Sequence, residues 1–422
     1  MKHSINLVAI VALFIPSYFA LTPRAIGATR VEFVLHSFGG SPEDGKYPMA
    51  GLVFDKVGAA YGTTTQGGFY GAGVVFKLTP VGSLWRETVL YDFHGTTDGA
   101  SPYGGVVLDR SGNLYGETIG GGTGTCFYQN VSGCGVVYEL TPPSQRGGSW
   151  KESVVHTFTG GNDGATPSGN LTFDTSGALF GTTLFGGNLQ EGTVFKLVRS
   201  GRAWTEIVLH SFGNVDDGAE PAAGVVFDAH GNLWGTTVSG GQYLYWGTVF
   251  EMVLSDGDWT ESVLYSFDNG TDGGQPAAGL IFDRKGALYS TTLSGGVTGN
   301  GTVFGLTPPS TSGGAWVENV LYSFQDGRDG GLPQAGLIFD AVGNLYGTTH
   351  SGGESGAGAV FKLTAPAQGT GEWNETVLYS FTNGRDGGLP DSNLVHGSDG
   401  YLYGTSYAGG HSYDGTVFKI TP

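Results

Sequence analysis

The chain has 422 residues and a net charge of −18, from 37 acidic and 19 basic residues. So large an excess of negative charge, without a Lys/Arg cluster, argues against nucleic acids and anionic membranes as partners. Glycine accounts for 78 residues, but aromatic residues make up 13% of the chain. Their large apolar surface argues for a packed fold rather than a disordered chain.

The first element is an apolar run with the features of a secretory signal peptide. Lys2 precedes INLVAIVALFIPSYFA, and small residues follow from Ala20 onwards. A basic start, a short apolar core and small residues after it are typical of a cleaved export signal. We therefore expect a signal peptide over 1–28, cleaved between 20 and 28, although a retained N-terminal helix is the alternative. The mature protein, 29–422, should be a single domain without a membrane span, secreted, periplasmic or at the cell surface.

A motif of the form YGTTxxGG then recurs seven times along the chain. A phosphate-binding loop would occur once and lead into a helix, but here a strand-like run such as GTVFKL follows, so the glycines indicate turns. One phenylalanine per unit recurs at intervals of 55, 65, 54, 55, 57 and 57 residues. Such a period indicates a repeat array or a propeller. The motifs begin at Tyr61, Tyr115, Phe180, Trp234, Tyr289, Tyr346 and Tyr403, and the phenylalanines are Phe38, Phe93, Phe158, Phe212, Phe267, Phe324 and Phe381.

Each unit contains four strand-like runs bounded by Gly, Asp, Asn or Pro. In the fifth unit they cover 277–283, 287–293, 301–307 and 316–324. Four antiparallel strands in about 56 residues is the size of a propeller blade. The sequence therefore predicts an all-β, seven-bladed β-propeller with four antiparallel strands per blade.

The two ends of the repeat region complement each other. Residues 31–38, VEFVLHSF, read as a fourth strand without a first three, and 415–422, GTVFKITP, read as a third strand without a fourth. We expect the N-terminal strand to complete the last blade and close the ring, because closure removes an exposed sheet edge.

The long interval in the second unit is explained by an inserted loop, at about 120–135. It contains the two cysteines of the chain, Cys126 and Cys134. In an exported chain such a pair predicts a local disulfide, and two thiols alone lack the further ligands that zinc needs.

The repeat unit P-x-A-G-L-[VI]-F-D-x-x-G-N-L-Y-G-T-T-x-x-G-G…G-T-V-F-K-L-T-P resembles the bacterial GloVer tandem repeats of exported choice-of-anchor proteins, over nearly all of 31–422. Its core is also similar to NHL-type and gluconolactonase-like propellers. That resemblance implies that Gly51–Asp55, Gly279–Asp283 and their equivalents are the innermost strands, lining the channel. It implies export and a propeller, but no established activity. The chain stops at Pro422 without an anchor segment, so we expect a released protein.

An aspartate in the motif D-G-x-x-P recurs in every unit. A ring of carboxylates could bind cations or sugar hydroxyls, but a residue repeated in each blade is more simply an architectural cap of its own turn. A calcium loop at Asp268 and Asp272 lacks a glutamate at the required spacing. The seven aspartates are Asp44, Asp98, Asp163, Asp217, Asp272, Asp329 and Asp386.

A Trp-x-Glu pattern marks the outer strand of six units. We interpret it as packing by the tryptophan with a solvated or cross-strand carboxylate, since glutamates on separate blades are too far apart to act as a glycosidase pair. The six pairs are Trp85/Glu87, Trp150/Glu152, Trp204/Glu206, Trp259/Glu261, Trp316/Glu318 and Trp373/Glu375.

Positions that break the repeat are the candidates for a single ligand site. Drift in a degenerate repeat is the competing explanation, but together at one channel mouth they would form a polar pocket with a titratable histidine. The candidates are Glu117, His350, Asp391, Asn393, His396 and Tyr407.

Aromatic residues in the hairpins between second and third strands are a second candidate surface. Exposed rings could stack on sugar faces, although a buried hairpin tip would explain them equally well. They are Phe69, Tyr70, Tyr243, Tyr245 and Trp246.

Three functions remain open. The first is a non-enzymatic propeller, expected to be a monomer, that binds a ligand, an extracellular glycan or a protein. The second is a lactonase, lyase or glycan hydrolase with its site in the channel mouth, which predicts convergent Asp, His or Glu side chains. The third is a structural component of a surface or matrix. No nucleophile triad or metal-spaced His/Cys cluster occurs, so no catalytic residue, metal or cofactor is predicted.

Overall fold

The computed structural model describes residues 31–145, 147–213, 216–311, 313–366 and 371–422, and the predicted signal peptide lies outside them. Over these residues the protein is an all-β propeller of seven four-stranded antiparallel blades, which confirms the predicted fold. The innermost strands of blades one to seven are only two residues long, shorter than the sequence runs. They are Val53–Phe54, Val107–Leu108, Thr172–Phe173, Val226–Phe227, Ile281–Phe282, Ile338–Phe339 and Val395–His396.

The second and third strands form the centre of each blade; the second strands are almost fully buried, and the third strands are buried at their start and mostly exposed at their end. The second strands are Ala60–Thr64, Leu114–Thr118, Leu179–Phe185, Leu233–Thr237, Leu288–Thr292, Leu345–Thr349 and Leu402–Ser406. The third strands are Val74–Val81, Val136–Thr141, Thr193–Ser200, Thr248–Ser255, Thr302–Thr307, Ala359–Thr364 and Thr416–Ile420.

The outer strands alternate between exposed and partly buried residues, as expected for a sheet surface with one wet face. They are Leu84–Asp92, Lys151–Thr157, Ala203–Ser211, Asp258–Ser266, Val317–Ser323, Asn374–Ser380 and, for blade seven, Glu32–Ser37. Short additional strands lie in the loops, at Gly45–Lys46 with Gln66–Gly67, Gly218–Ala219 with Ser239–Gly240, Ala165–Pro167, and Phe127–Tyr128 with Val131–Ser132.

The N-terminal strand closes the ring. Glu32–Ser37 pairs antiparallel with Thr416–Ile420 as the outer strand of blade seven, with Glu32 opposite Ile420 and Ser37 opposite Thr416. Phe38, which follows this strand, is fully buried in a cluster that also contains Phe76 of blade one. The structure therefore confirms that the N-terminal strand completes the last blade.

The core lies between blades, in seven interfaces that we call seams. Each recurring phenylalanine packs edge-to-face on an aromatic ring of the next blade, with ring centroids 5.0–5.2 Å apart. At the seam between blades one and two, for example, Phe93 packs on Tyr138. Because each blade buries its faces only against neighbours, the repeat requires one such aromatic residue per unit.

The recurring glycines and threonines of the repeat join neighbouring blades. A Cβ atom at Gly73 would lie 2.7 Å from Cδ of Pro102 in the next blade, so only glycine fits beneath that proline. In six seams the first threonine of the G-T-T motif donates a hydrogen bond to a carbonyl of the next blade, as Thr236 does to Ala278 at 2.9 Å. The motif is therefore an architectural one.

The propeller has two different faces. The D-G-x-x-P loops and the hairpins between second and third strands share the loop face, where Gly45–Lys46 pairs with Gln66–Gly67. The turns between first and second strands lie on the opposite face, the turn face. Both ends of the described chain reach the turn face, because the backbone N–H of Val31 donates to Oγ1 of Thr421 at 3.4 Å. Within the described ranges, no helix is long and apolar enough to cross a bilayer.

Candidate functional site

The central channel opens on the loop face into a cavity of about 260 Å³. The residue that follows the proline of each D-G-x-x-P loop faces this cavity, and these seven positions form what we call the mouth ring. Unlike the rest of the repeat, the ring has little symmetry, because polar and aromatic side chains occupy one part and alanines another. Its members are Met49, Tyr103, Ser168, Ala222, Ala277, Gln334 and Asp391.

The backbone that carries the mouth ring is strained in the same way in every blade. The residue before each proline adopts a left-handed conformation, with φ between 52° and 58°, although none of the seven is glycine. This conformation is uncommon for such residues and requires the surroundings to enforce it. In each blade its N–H donates to a carbonyl of the preceding blade, as Glu220 does to Glu191 at 2.8 Å. The seven are Tyr47, Ser101, Thr166, Glu220, Gln275, Leu332 and Leu389.

A histidine and an aspartate make a short polar contact at the mouth. Nδ1 of His350 lies 2.7 Å from Oδ1 of Asp391, whose side chain is only 5% exposed. This hydrogen bond raises the pKa of His350 above its usual value, although partial burial opposes the shift. The imidazolium is thereby stabilised beside a buried carboxylate. Of the six repeat-breaking residues, the structure brings His350, Asp391 and Tyr407 to the mouth.

Tyrosines surround this pair. The Tyr47 and Tyr407 rings stack with centroids 4.9 Å apart. Burial, followed by the charge of Asp391, raises the pKa of Tyr103 to about 12, and burial also raises that of Tyr407. The hydroxyls of both therefore stay protonated and able to donate hydrogen bonds at neutral pH.

The inserted loop of blade two also contributes to the cavity wall. The predicted disulfide between Cys126 and Cys134 is present. The disulfide restrains the short hairpin that contains Tyr128. Tyr128 lines the cavity and packs edge-to-face on Phe185, with ring centroids 5.4 Å apart. Glu220 supplies a second carboxylate to the lining.

Asn393 occupies the channel rather than the mouth cavity. Its Oδ1 accepts a hydrogen bond from the backbone N–H of Gly336 at 2.6 Å, and Asn170 makes the same contact with Gly105 at 2.8 Å. The other five blades have glycine at this position, so the two asparagines narrow the channel below the cavity. Asn393 is thus held by the backbone of a neighbouring blade.

Two other repeat-breaking residues lie away from the mouth. Glu117 is enclosed between blades two and three, 1% exposed, and neither carboxylate oxygen has a hydrogen-bond partner among the described residues. The hydroxyl of Tyr138, also fully buried, is unpaired in the same region. His396 lies on the innermost strand of blade seven, where its Nε2 is 3.0 Å from the carbonyl oxygen of Phe339. The six residues therefore do not all meet at one mouth. Asn393 lies in the channel, Glu117 is buried between two blades, and His396 contacts the innermost strand of blade six.

The hairpin aromatics form separate exposed patches. Phe69 and Tyr70 are 71% and 52% exposed in blade one, and Tyr243 and Tyr245 are 44% and 68% exposed in blade four. Trp246 is instead partly buried and packs against the core between blades four and five, which fits the alternative of a buried hairpin tip. Because blades one and four are not neighbours, the exposed aromatic residues form two separate patches and not one continuous surface.

The aspartates of the D-G-x-x-P loops stabilise the turns in which they lie by accepting hydrogen bonds. Oδ2 of Asp98, for example, accepts the backbone N–H of His94 at 2.8 Å and the hydroxyl of Tyr91 at 3.0 Å. These are the contacts of a turn cap. No ligand is needed to explain this carboxylate.

For the glutamates of the Trp-x-Glu pattern, the solvated alternative is wrong because one carboxylate oxygen of each is buried, whereas the predicted packing of the tryptophans is confirmed. Each tryptophan packs on an aromatic ring of the preceding blade, as Trp85 does on Tyr403 at 5.9 Å. The glutamate beside it turns into the seam, where Oε1 is buried. Burial, assisted by a nearby aspartate, raises the pKa of five of these side chains to about 7, and that of Glu32 to about 8. The five are Glu87, Glu152, Glu206, Glu261 and Glu318.

Sequence reasoning missed four residues of the mouth, namely Tyr47, Tyr103, Tyr128 and Glu220. For Tyr47, Tyr103 and Glu220 the available signal was the variability of the residues on either side of each repeated proline, within otherwise uniform loops. Tyr128 lies in the inserted loop, where the repeat offers no such comparison. Their convergence is visible only in the fold, which places the residues after the prolines around the cavity together with Glu220 and Tyr128.

Comparison with solved structures shows the same fold. A putative 6-phosphogluconolactonase from Bacteroides uniformis is similar with a TM-score of 0.52 and 15% identity, over 83% of this chain and 96% of that one. A putative oxidoreductase (glucose dehydrogenase) from Thermus thermophilus matches with a TM-score of 0.46 and 14% identity, over 93% of this chain and 99% of that one. At these identities only the fold of the first carries over. No curated protein matches the chain.

The repeat itself is matched by a known family. The Gloeobacter/Verrucomicrobia repeat matches at residues 19–132, 123–315 and 244–422, which together span nearly all of the propeller. This agrees with the resemblance found in the repeat unit. The chain belongs to the Gloeobacter/Verrucomicrobia repeat family.

Proposed function

We propose that the protein binds an extracellular glycan in the mouth cavity on the loop face. The observation that carries this proposal is the loss of seven-fold symmetry at the mouth ring. Tyr103 and Asp391 stand there where other blades have alanine, in a cavity of about 260 Å³. A single asymmetric site on a symmetric scaffold is what one bound ligand requires.

The chemistry of the lining fits a neutral or basic sugar. Tyrosine rings provide flat apolar faces for stacking, and their hydroxyls together with Asp391 and Glu220 provide donors and acceptors for sugar hydroxyls. None of the described lining residues is Lys or Arg, and the net charge is −18. Acidic glycans would therefore be repelled.

Two features that are consistent with export support an extracellular ligand. A disulfide such as Cys126–Cys134 persists in oxidising compartments and is rare in the cytosol. The apolar N-terminal run, which lies outside the described residues, is the expected export signal.

The test is a screen of neutral, basic and acidic oligosaccharides, followed by calorimetry with the best ligand. Tyr103→Ala and Tyr407→Ala should each weaken binding about tenfold or more, equivalent to about 1.4 kcal/mol of lost contact. Tyr245→Ala is the matched control, because this exposed tyrosine lies on a hairpin tip of the same face. If Tyr245→Ala abolishes binding while Tyr103→Ala leaves it intact, the site is on the hairpins instead.

Hydrolysis at the same mouth is a second candidate, favoured by the 2.7 Å contact between His350 and Asp391. An oriented histidine could activate water against a lactone or glycosidic bond. Product release from a lactone or glycan panel, lost in His350→Gln while calorimetric binding persists, would support it. Binding without turnover by the unmodified protein would exclude it for that panel.

A further inference from the structure

The seams on the loop face bring together side chains from two blades. In each seam the aspartate of one blade's D-G-x-x-P loop lies near the outer-strand glutamate of the next. A residue on the preceding outer strand contacts the aspartate: it is tyrosine in four seams and histidine in three. The histidines are His36, His156 and His210.

The seam between blades three and four has the tightest arrangement. One ligand atom each of His210, Asp217 and Glu261 lie within 4.8 Å of one another, and no other group of three His, Cys, Asp or Glu in the described ranges does so. Nε2 of His210 is 3.0 Å from Oδ2 of Asp217, which is 5% exposed. Oε1 of Glu261 is buried there and has no hydrogen-bond partner among the described residues.

The seams that contain tyrosine differ from this one in the residue that contacts the loop aspartate. In the next seam Tyr265 donates its hydroxyl to Asp272 at 3.0 Å. His210 makes the equivalent contact by donating from Nε2–H to Asp217. An imidazole, unlike a phenol, can lose that proton near neutral pH or carry it on the other ring nitrogen, which frees a lone pair on Nε2 for an ion. One nitrogen and two carboxylate oxygens are a donor set that zinc accepts.

We propose that His210, Asp217 and Glu261 form a site for a divalent transition metal of the zinc class that links blades three and four. The fourth position of a tetrahedral ion would face the solvent side of the partly exposed histidine and hold water. This set is not recognisable from spacing along the chain, because its members come from different elements and have no metal-binding spacing.

The geometry needs only a small closure around the ion. Bonds of about 2.0–2.1 Å place tetrahedral ligand atoms roughly 3.4 Å apart. The pair His210–Asp217, at 3.0 Å, is already near that separation. The Glu261 carboxylate has to approach from within 4.8 Å, which a side-chain rotation can supply.

The other two histidine seams are less well arranged. His36 lies 3.3 Å from Asp44, and His156 lies 3.7 Å from Asp163. In neither do the three ligand atoms fall within the limit met by His210. We therefore expect one site per chain.

The experiment uses untagged, chelator-treated protein titrated with Co²⁺, followed by calorimetry and visible absorption. We expect one Co²⁺ per chain, a visible band from a low-symmetry site, and displacement by Zn²⁺. His210→Tyr and Glu261→Gln should each weaken binding at least tenfold. Four other seams have tyrosine at the position of His210, so His210→Tyr should preserve the fold.

The control is His36→Tyr, the same change in another seam, which should leave the stoichiometry and affinity unchanged. Circular dichroism in the presence of chelator should show the fold of the unmodified protein for all variants. Absence of Co²⁺ binding by the unmodified protein, or unchanged binding by His210→Tyr, would overturn the proposal. Loss of binding in His36→Tyr would also overturn it.

Discussion

Glu117 shows how one residue departs from the repeat at a cost to stability. In six seams the equivalent threonine donates to a carbonyl of the next blade, as Thr63 does to Gly104 at 3.0 Å. Glu117 fills the same place with a carboxyl group whose oxygens find no partner among the described residues. Burial raises the pKa of Glu117 well above its usual value, so the group is held in its neutral form.

We expect Glu117→Thr to stabilise the protein, by about 1–3 kcal/mol, because it replaces an unsatisfied buried group with a hydrogen-bond donor. Urea unfolding at pH 7 measures the effect. Thr236→Val, which removes the corresponding hydrogen bond from another seam, is the control and should destabilise by about 1 kcal/mol. A destabilising effect of Glu117→Thr would show that the carboxyl group is satisfied and useful where it is.

At this scale the sequence identified the unusual residues but not their environments. Glu117, His350 and His396 are all visible as departures from the repeat. Whether such a side chain enters a seam, the mouth or the other face depends on its strand register and on the neighbouring blade. Those are long-range contacts that a local pattern does not contain.

Among the elements, the outer strands contain an unexpected set of titratable groups. Their glutamates enter the seams beside the aspartates of the preceding blade, as Glu318 does beside Asp272. Two nearby carboxyl groups in a partly buried seam cannot both ionise without mutual repulsion. The stability of the contacts in the seams should therefore depend on pH.

Stability should fall as pH rises from about 5 to 8. The pKa of Glu318 is raised by burial from its usual value to about 7, so the folded state holds a proton that the unfolded state has released. Its contribution is complete below the unfolded pKa and is lost as pH passes about 7. Glu318→Gln should flatten this dependence in melting curves recorded across the range.

The exposed Glu354 supplies the comparison for that measurement. Glu354→Gln should leave the pH profile unchanged, because this side chain lies in solvent on a hairpin. Identical profiles for Glu318→Gln and the unmodified protein would mean that the seam carboxyl group has an ordinary pKa.

The number and order of the strands were predictable because each strand pattern occurs seven times at one spacing, which chance patterns do not do. The length of the innermost strands could not be predicted. The run 277–283 predicts a full strand, but only Ile281–Phe282 pairs. Residues nearer the axis have no space for a ladder and form the mouth and channel instead, as Gly279 does.

For the whole molecule, closure by the N-terminal strand is the decisive contact. Phe38 is fully buried and packs on Phe76 across the closing seam, with centroids 5.1 Å apart. Phe38→Ala should therefore destabilise the protein by about 3–5 kcal/mol, measured by denaturant unfolding.

Phe33→Ala, on the same strand, provides the matched substitution. Phe33 is 42% exposed, so its loss should cost much less. Equal effects of the two substitutions would indicate that the strand does not close the ring in solution.

Closure of the ring was predictable from the complementary ends, since an unpaired third strand needs a fourth strand. The mouth was not, because it depends on the left-handed turns.

Both ends of the described chain leave the disc from the turn face, while the mouth opens on the other. A linker or affinity handle joined after Pro422 would extend away from the cavity, and capture on a sensor surface would leave the cavity oriented towards the solution. The two sides of the disc can thus be occupied independently, one by an attachment and the other by a ligand.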